Sequence, residues 1–200
     1  MLRRSLLLLA GLAAPAAGAG HACAQTRITP DPTPRLPPQP GQGLGAEDVR
    51  GLQRAARLCD AQAESGRLAA QKAASPAVRE LGQTIAADHG RFRKAFDTIA
   101  AERKLELPDR KAAGVEDPGL AALQQASSEA FDRAFLSRQL GFYKPMAELF
   151  QTMASNSPDP ALQRLGITIL SSVRAQFETA RKLGEPMGLR VETIENPPQY

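Results

Sequence analysis

Four stretches of this chain carry small or apolar residues at intervals that alternate between three and four, a spacing that commits most of the chain to long amphipathic α-helices. The first, Ala46 to Ala73, lines up Val49, Leu52, Ala56, Cys59, Ala63, Gly66 and Ala70. The second starts at Ser75-Pro76, with serine as N-cap and proline in the first turn. It extends to Lys104 with the stripe Val78, Leu81, Ile85, His89, Phe92, Phe96 and Ile99. The third runs from Ser127 or Ser128 to Ala154 and turns Phe131, Phe135, Phe142, Met146, Leu149 and Met153 inward. The fourth, capped at Asp159-Pro160, runs to Leu183 through Leu162, Gly166, Ile169, Val173, Gln176, Ala180 and Leu183. Such steps return to one side of a helix each turn and form the seam along which helices pack. The abundance of alanine, leucine, Glu, Gln, Arg and Lys is helix-forming composition.

The predicted fold class is therefore all-α, a four-helix bundle over residues 46–183. The first and second helices are joined by a very short turn, as are the third and fourth, so each pair is expected to be antiparallel. The link from Leu105 to Ala126 is long. Pro108 ends the second helix there, and Asp117-Pro118 starts a short helical piece through Leu123. About twenty residues at roughly 3.3 Å each can cross the length of helices on the order of 40 Å long. That permits the ferritin-like path, with one long connection between the second and third helices. An up-down-up-down path fits the same lengths. Pro145, inside the third helix, is expected to kink it.

The chain ends read differently. In residues 1–24, Arg3 and Arg4 precede an apolar run from Leu6 to Ala14, and a small-residue segment closes on Ala22-Cys23-Ala24. This is the pattern of a secretory signal peptide, with cleavage expected before Gln25. The apolar run is too short for a permanent membrane span. Cys23 lacks the leucine that a lipoprotein signal places three positions upstream. Arg3-Arg4 reads as an ordinary positive n-region, although a twin-arginine export signal would carry the same pair. Residues 25–45 hold Pro30, Pro32, Pro34, Pro37, Pro38 and Pro40 and read as a disordered linker. Residues 184–200, with Pro197-Pro198, read as an irregular tail. The expected location is the periplasm, with no membrane insertion after cleavage.

Several function classes are excluded by composition and motif. The formal net charge is +4, two of those charges lie in the leader, and acids and bases are mixed along the rest. A nucleic-acid binder would show a basic stripe. Cys59 is the one cysteine left after cleavage, so no intramolecular disulfide can form; on its apolar stripe it reads as a small buried hydrophobe. There is no G-x-S-x-G, CxxC, HExxH or glycine-rich phosphate loop. Glu129 and Glu178 are followed three residues later by Asp132 and Arg181, where a di-iron carboxylate site needs histidine.

Two polar residues interrupt the seams: His89 in the second helix and Gln176 in the fourth. Asp88 adjoins His89, Glu64 adjoins Ala63 on the first helix, and Tyr143 adjoins Phe142 on the third. The candidate ligand-binding set is thus Glu64, Asp88, His89, Tyr143 and Gln176, one polar layer across four helices. The other reading is a buried histidine that hydrogen-bonds Glu64, Tyr143 or Gln176 and does nothing more.

Glu64-Ser-Gly-Arg-Leu-Ala-Ala-Gln-Lys-Ala-Ala-Ser-Pro-Ala-Val78 resembles the first helix and turn of a family of exported bacterial proteins, domain of unknown function 4142. Ala87-Asp-His-Gly90 is similar to its Asp-His motif, and Phe131-Asp-Arg-Ala-Phe135 with Gln139 to Phe150 is similar to its third helix. The resemblance implies a ferritin-like four-helix fold without established activity. It also implies histidines in the third and fourth helices, where this chain has Tyr143 and Gln176. Of the family's polar set, Glu64, Asp88 and His89 are present. Tyrosine and glutamine are weak ligands for Zn²⁺ or Fe²⁺ beside histidine. The expectation is a non-enzymatic exported protein with a binding or envelope/stress-related role, no cofactor and no tightly held transition metal. Its partner would be a small ligand or an envelope protein. The alternative is a metal- or small-ligand-binding ferritin-like protein that uses the polar layer.

Overall fold

The computed structural model describes residues 44–109 and 117–189, all within one compact unit, Leu36–Tyr200. The expected signal peptide, nearly all of the expected proline-rich linker and the expected tail beyond residue 189 lie outside the described residues. The described residues are all-α: α1 (Ala46–Lys72), α2 (Pro76–Glu102), the short α3 (Pro118–Gln125), α4 (Ser128–Asn156) and α5 (Pro160–Gly184), followed by a single 3-10 turn, Glu185–Met187. None of these helices is long and apolar enough to cross a membrane.

Three of the helices begin at the proline signals. Asp117 caps α3 by accepting from Leu120 N, and Asp159 caps α5 by accepting from Ala161 N and Leu162 N. Ser75 stands at the N-cap of α2, but its side chain makes no capping bond. The turn is held from outside instead. Asp132 on α4 accepts from Ala74 N at 3.0 Å and from Ser75 N at 2.8 Å. Helix α4 continues through Pro145, whose ring leaves one carbonyl of the preceding turn without its helical donor.

Packing runs between α1 and α2, α4 and α5, α2 and α5, and α1 and α4. Gln62 on α1 reaches Met146 on α4, Gln139 reaches back to Ser65, and Asp132 meets the end of α1. Residue numbers therefore rise on α1 as they fall on α4, so the pair is antiparallel. Asp88 meets Gln176, and Arg103 meets Asp159, which makes α2 and α5 antiparallel as well. It follows that α2 and α4 run in the same direction. Glycines sit where helix backbones come close together. A Cβ added at Gly66 would lie 2.6 Å from both Ala86 N and Gly82 O, and one at Gly166 would lie 2.9 Å from Ala154 N.

Two apolar clusters fill the interior. One gathers Leu52, Cys59, Phe96, Met146, Phe150, Ile169 and Val173 among others; the second gathers Val78, Ile85, Phe131, Phe135, Leu136 and Ala180. The stripe of α2 is buried as predicted, and that of α5 is buried as far as Ala180. The seam of α4 differs: Tyr143 and Phe150 are buried where Phe142 and Leu149 were expected, and both of those are half-buried. Phe142 lies at the margin because its ring carries the Arg138 guanidinium at 4.3 Å.

Cys59 has no accessible surface, and burial pushes its thiol well above the ordinary range, with Asp60 adding to the rise. A thiol reagent is expected to label it only after denaturant is added. Rapid labelling of the native chain would place this seam at the surface.

Candidate functional site

Between the two apolar clusters each long helix carries a buried polar residue. On α1 the first cluster ends at Cys59 and the second starts at Ala69, with Gln62 and Ser65 in the gap. On α2, His89 lies between Ile85 and Phe92. Gln139 and Tyr143 mark the same boundary on α4, and Gln176 lies between Val173 and Ala180 on α5. A layer of buried polar residues crosses the interior. Its membership differs from the expected set.

His89, Asp88 and Gln176 come together. Gln176 Nε2 donates to Asp88 Oδ2 at 3.0 Å and to Ser172 Oγ at 3.2 Å, while Ser172 Oγ donates to the same carboxylate oxygen at 2.6 Å. Arg91 binds the other carboxylate oxygen. These bonds fix the Gln176 amide so that its Oε1 faces His89 Nε2 at 3.3 Å. Nε2 must then carry the proton, and Nδ1 is left as a lone pair. That Nδ1 is buried without a hydrogen-bond partner, and the ring stands edge-on to Phe92, 5.6 Å between centroids.

Glu64 is not part of this layer. It is half-exposed on the outer side of α1 and pairs with Arg67 at 2.7 Å. Adjacent helical positions point about 100° apart, so a neighbour of the seam residue Ala63 need not face inward. Tyr143 is buried, but its ring is stacked on Phe177 with centroids 4.1 Å apart and has no bond to His89. Ser172, Gln62, Ser65 and Gln139 were absent from the expected set. Ser172 was findable, one turn before Gln176 on the same face. The others lie beside the heptad positions on a face wider than one seam.

Electrostatics keep the layer neutral at its centre. Burial lowers the His89 pKa from 6.5 to about 4, opposed by the hydrogen bond to Gln176 and the charge of Asp88. Burial pushes Asp88 up, but hydrogen bonds from Ser172, Arg91 and Gln176 outweigh it and hold the carboxyl below its usual value. Between pH 6.5 and about 4 the unfolded chain takes up a proton that folded His89 excludes. Stability is therefore full above pH 6.5 and falls as the pH drops toward 4, by roughly 3 kcal/mol. Asp88 adds to the loss only below the usual carboxylate range. Urea-unfolding midpoints across this window check it. A His89→Gln variant is expected to lack the slope; an equal slope in the variant would contradict the burial.

The donor set does not fit a transition metal. One imidazole nitrogen is available, both Asp88 oxygens are engaged, the Gln176 amide is used at both ends, and Glu64 faces away. Among the described residues no group of three or more His, Cys, Asp or Glu side chains is placed to hold an ion.

No curated protein and no solved structure matches the chain. A family comparison does, over residues 33–183, from ahead of α1 to the last turn of α5. With the Asp88-His89 pair inside that span, the chain belongs to the family described as Domain of unknown function (DUF4142).

Proposed function

We propose that this chain is an exported periplasmic protein, a ferritin-like four-helix bundle with a long connection between its second and third long helices, and that it binds without catalysing. The observation that carries the non-catalytic reading is His89: it has no accessible surface and spends its proton on an internal amide. A general acid or base must come within hydrogen-bond reach of a substrate. The leader Arg3 to Ala24 supports export. The antiparallel pairing of α1 with α4 and of α2 with α5, with α2 parallel to α4, supports the crossover path. In this reading the polar layer sets register: sliding one helix pair against the other would bury His89 and Gln176 in apolar surroundings without partners.

The second reading, a metal or small ligand held in the layer, is favoured by the lone pair at His89 Nδ1. One preparation separates the two: the protein exported by a bacterial host in metal-replete medium, recovered from the periplasm. Intact mass should give a chain that begins at Gln25, and elemental analysis should give no stoichiometric metal. A diacylglyceryl adduct on Cys23 would make it a lipoprotein. One metal per chain, lost in His89→Ala, would promote the second reading.

A further inference from the structure

Helix α5 turns Leu162, Ile169 and Val173 into the interior, and its opposite side is open to solvent. Along that side lie Arg164, Ile167, Ser171, Ala175 and Glu178, all exposed, at steps of three and four that keep them in one line. Ile167 is 59% exposed, the one large hydrophobic left so open among the described residues. It also edges a groove of about 450 Å³ against Gln151, Ala154 and Ser155 of α4. An isolated exposed isoleucine is ordinary, but this one belongs to a line with a symmetry. Ser171 is its midpoint. Arg164 and Glu178 are equidistant from Ser171, and so are Ile167 and Ala175. Glu178 also reaches Arg181 at 3.1 Å on the same helix, a solvated pair that leaves its carboxylate open to a further contact.

We propose that this face of α5 is an interface between two copies of the chain, with α5 packed antiparallel on α5 about a two-fold axis at Ser171. A two-fold interface must be self-complementary, and reversal about Ser171 makes this line so. Arg164 of one protomer meets Glu178 of its partner, and the converse pair forms at the other end. Ile167 of each protomer covers Ala175 of the other, whose small side chain, like that of Ser171, lets the two helices approach. Reversal also sets Arg174 opposite Thr168 rather than opposite a second cation. A parallel arrangement would set Arg164 on Arg164 and Glu178 on Glu178, and like charges disfavour it. At 1.5 Å per residue the line from Arg164 to Glu178 is about 21 Å long. That is smaller than a standard interface, so the dimer is a weak one, with dissociation in the micromolar range or above. Ile167 supplies the apolar burial, and the exposed charges set the register more than the affinity. Neither export nor the polar layer bears on this contact.

Analytical ultracentrifugation of the purified chain is expected to show a reversible monomer–dimer equilibrium between roughly 10 μM and 1 mM. Ile167→Asp should weaken the dimer about tenfold or more, with unchanged helical circular dichroism. Arg164→Glu and Glu178→Arg should each weaken it about fivefold or more, since each turns both ion pairs of the dimer into like-charge contacts. Mixing these two variants should restore dimerisation, because in the mixed dimer both contacts again join opposite charges. A chain that stays monomeric up to about 1 mM would overturn the proposal. So would a dimer that survives Ile167→Asp, or charge variants whose mixture dimerises no better than either alone, which would give the contact to another face or another register.

Discussion

Arg93→Met is expected to lower the unfolding free energy by about 3–5 kcal/mol, the range for breaking one side of a buried ion pair. Arg93 is nearly inaccessible on α2, and its Nε stands 3.2 Å from Asp60 Oδ2 on α1, itself buried. One terminal nitrogen reaches Asp97 at 2.9 Å, and the second donates to the Pro108 carbonyl at 2.8 Å. A single guanidinium therefore joins two helices and the segment that follows α2. Without it, the buried Asp60 carboxylate loses one cationic neighbour, and the Pro108 carbonyl loses a donor. Part of the cost is the burial of the Asp60 charge without this guanidinium, so the double variant Asp60→Leu/Arg93→Met should recover part of the loss. Urea unfolding of the three proteins measures both. A single-variant loss below about 1 kcal/mol, the range of exposed pairs, would show that the pair is solvated.

Gly66→Val is expected to cost at least about 3 kcal/mol, at the upper end of overpacking penalties. The new Cβ would meet backbone atoms, Ala86 N and Gly82 O, both at 2.6 Å. Backbone cannot rotate away as a side chain can, so α1 and α2 must separate along their length. Gly82 faces the same crossing from the other side, with Ala69 Cβ at 2.6 Å and Gly66 O at 2.8 Å from its added Cβ. Gly51, also in α1, is the control: nothing lies within 4 Å of a Cβ there. Gly51→Ala should stabilise the chain by about 0.5–1 kcal/mol, the helix preference of alanine over glycine. Thermal or urea unfolding of both variants gives opposite signs if the two glycines have these roles.

The long helices were legible in the sequence because their evidence is local. Seam spacing and the dipeptides Ser75-Pro76, Asp117-Pro118 and Asp159-Pro160 lie within one turn of what they determine, and α2, α3 and α5 begin at those prolines. The polar layer was legible in outline, since His89 and Gln176 interrupt apolar stripes. Its partners were not. Glu64 was assigned by adjacency to a seam residue, and the helix rotates it outward to Arg67. The buried pair Asp60–Arg93 and the clamp of Asp132 on the α1–α2 turn join residues far apart in the chain. No spacing rule reaches across such a separation. The face of α4 was misjudged by about one residue, because Phe142 and Tyr143 are adjacent aromatic side chains, and spacing alone favoured Phe142, whose ring carries Arg138 at the margin.

The pairing of helices divides the chain in two for folding kinetics. The turns at Ala73–Ser75 and Ser157–Asp159 make α1–α2 and α4–α5 hairpins whose contacts are local and cost little loop-closure entropy. Contacts between the hairpins are remote: Ala74 to Asp132 spans 58 positions, and Asp88 to Gln176 spans 88. Docking of preformed hairpins is the expected late event. Asp132→Ala removes the bonds to Ala74 and Ser75 that tie α4 to the first turn. Those bonds belong to the docked state, so the substitution is expected to accelerate unfolding far more than it slows folding.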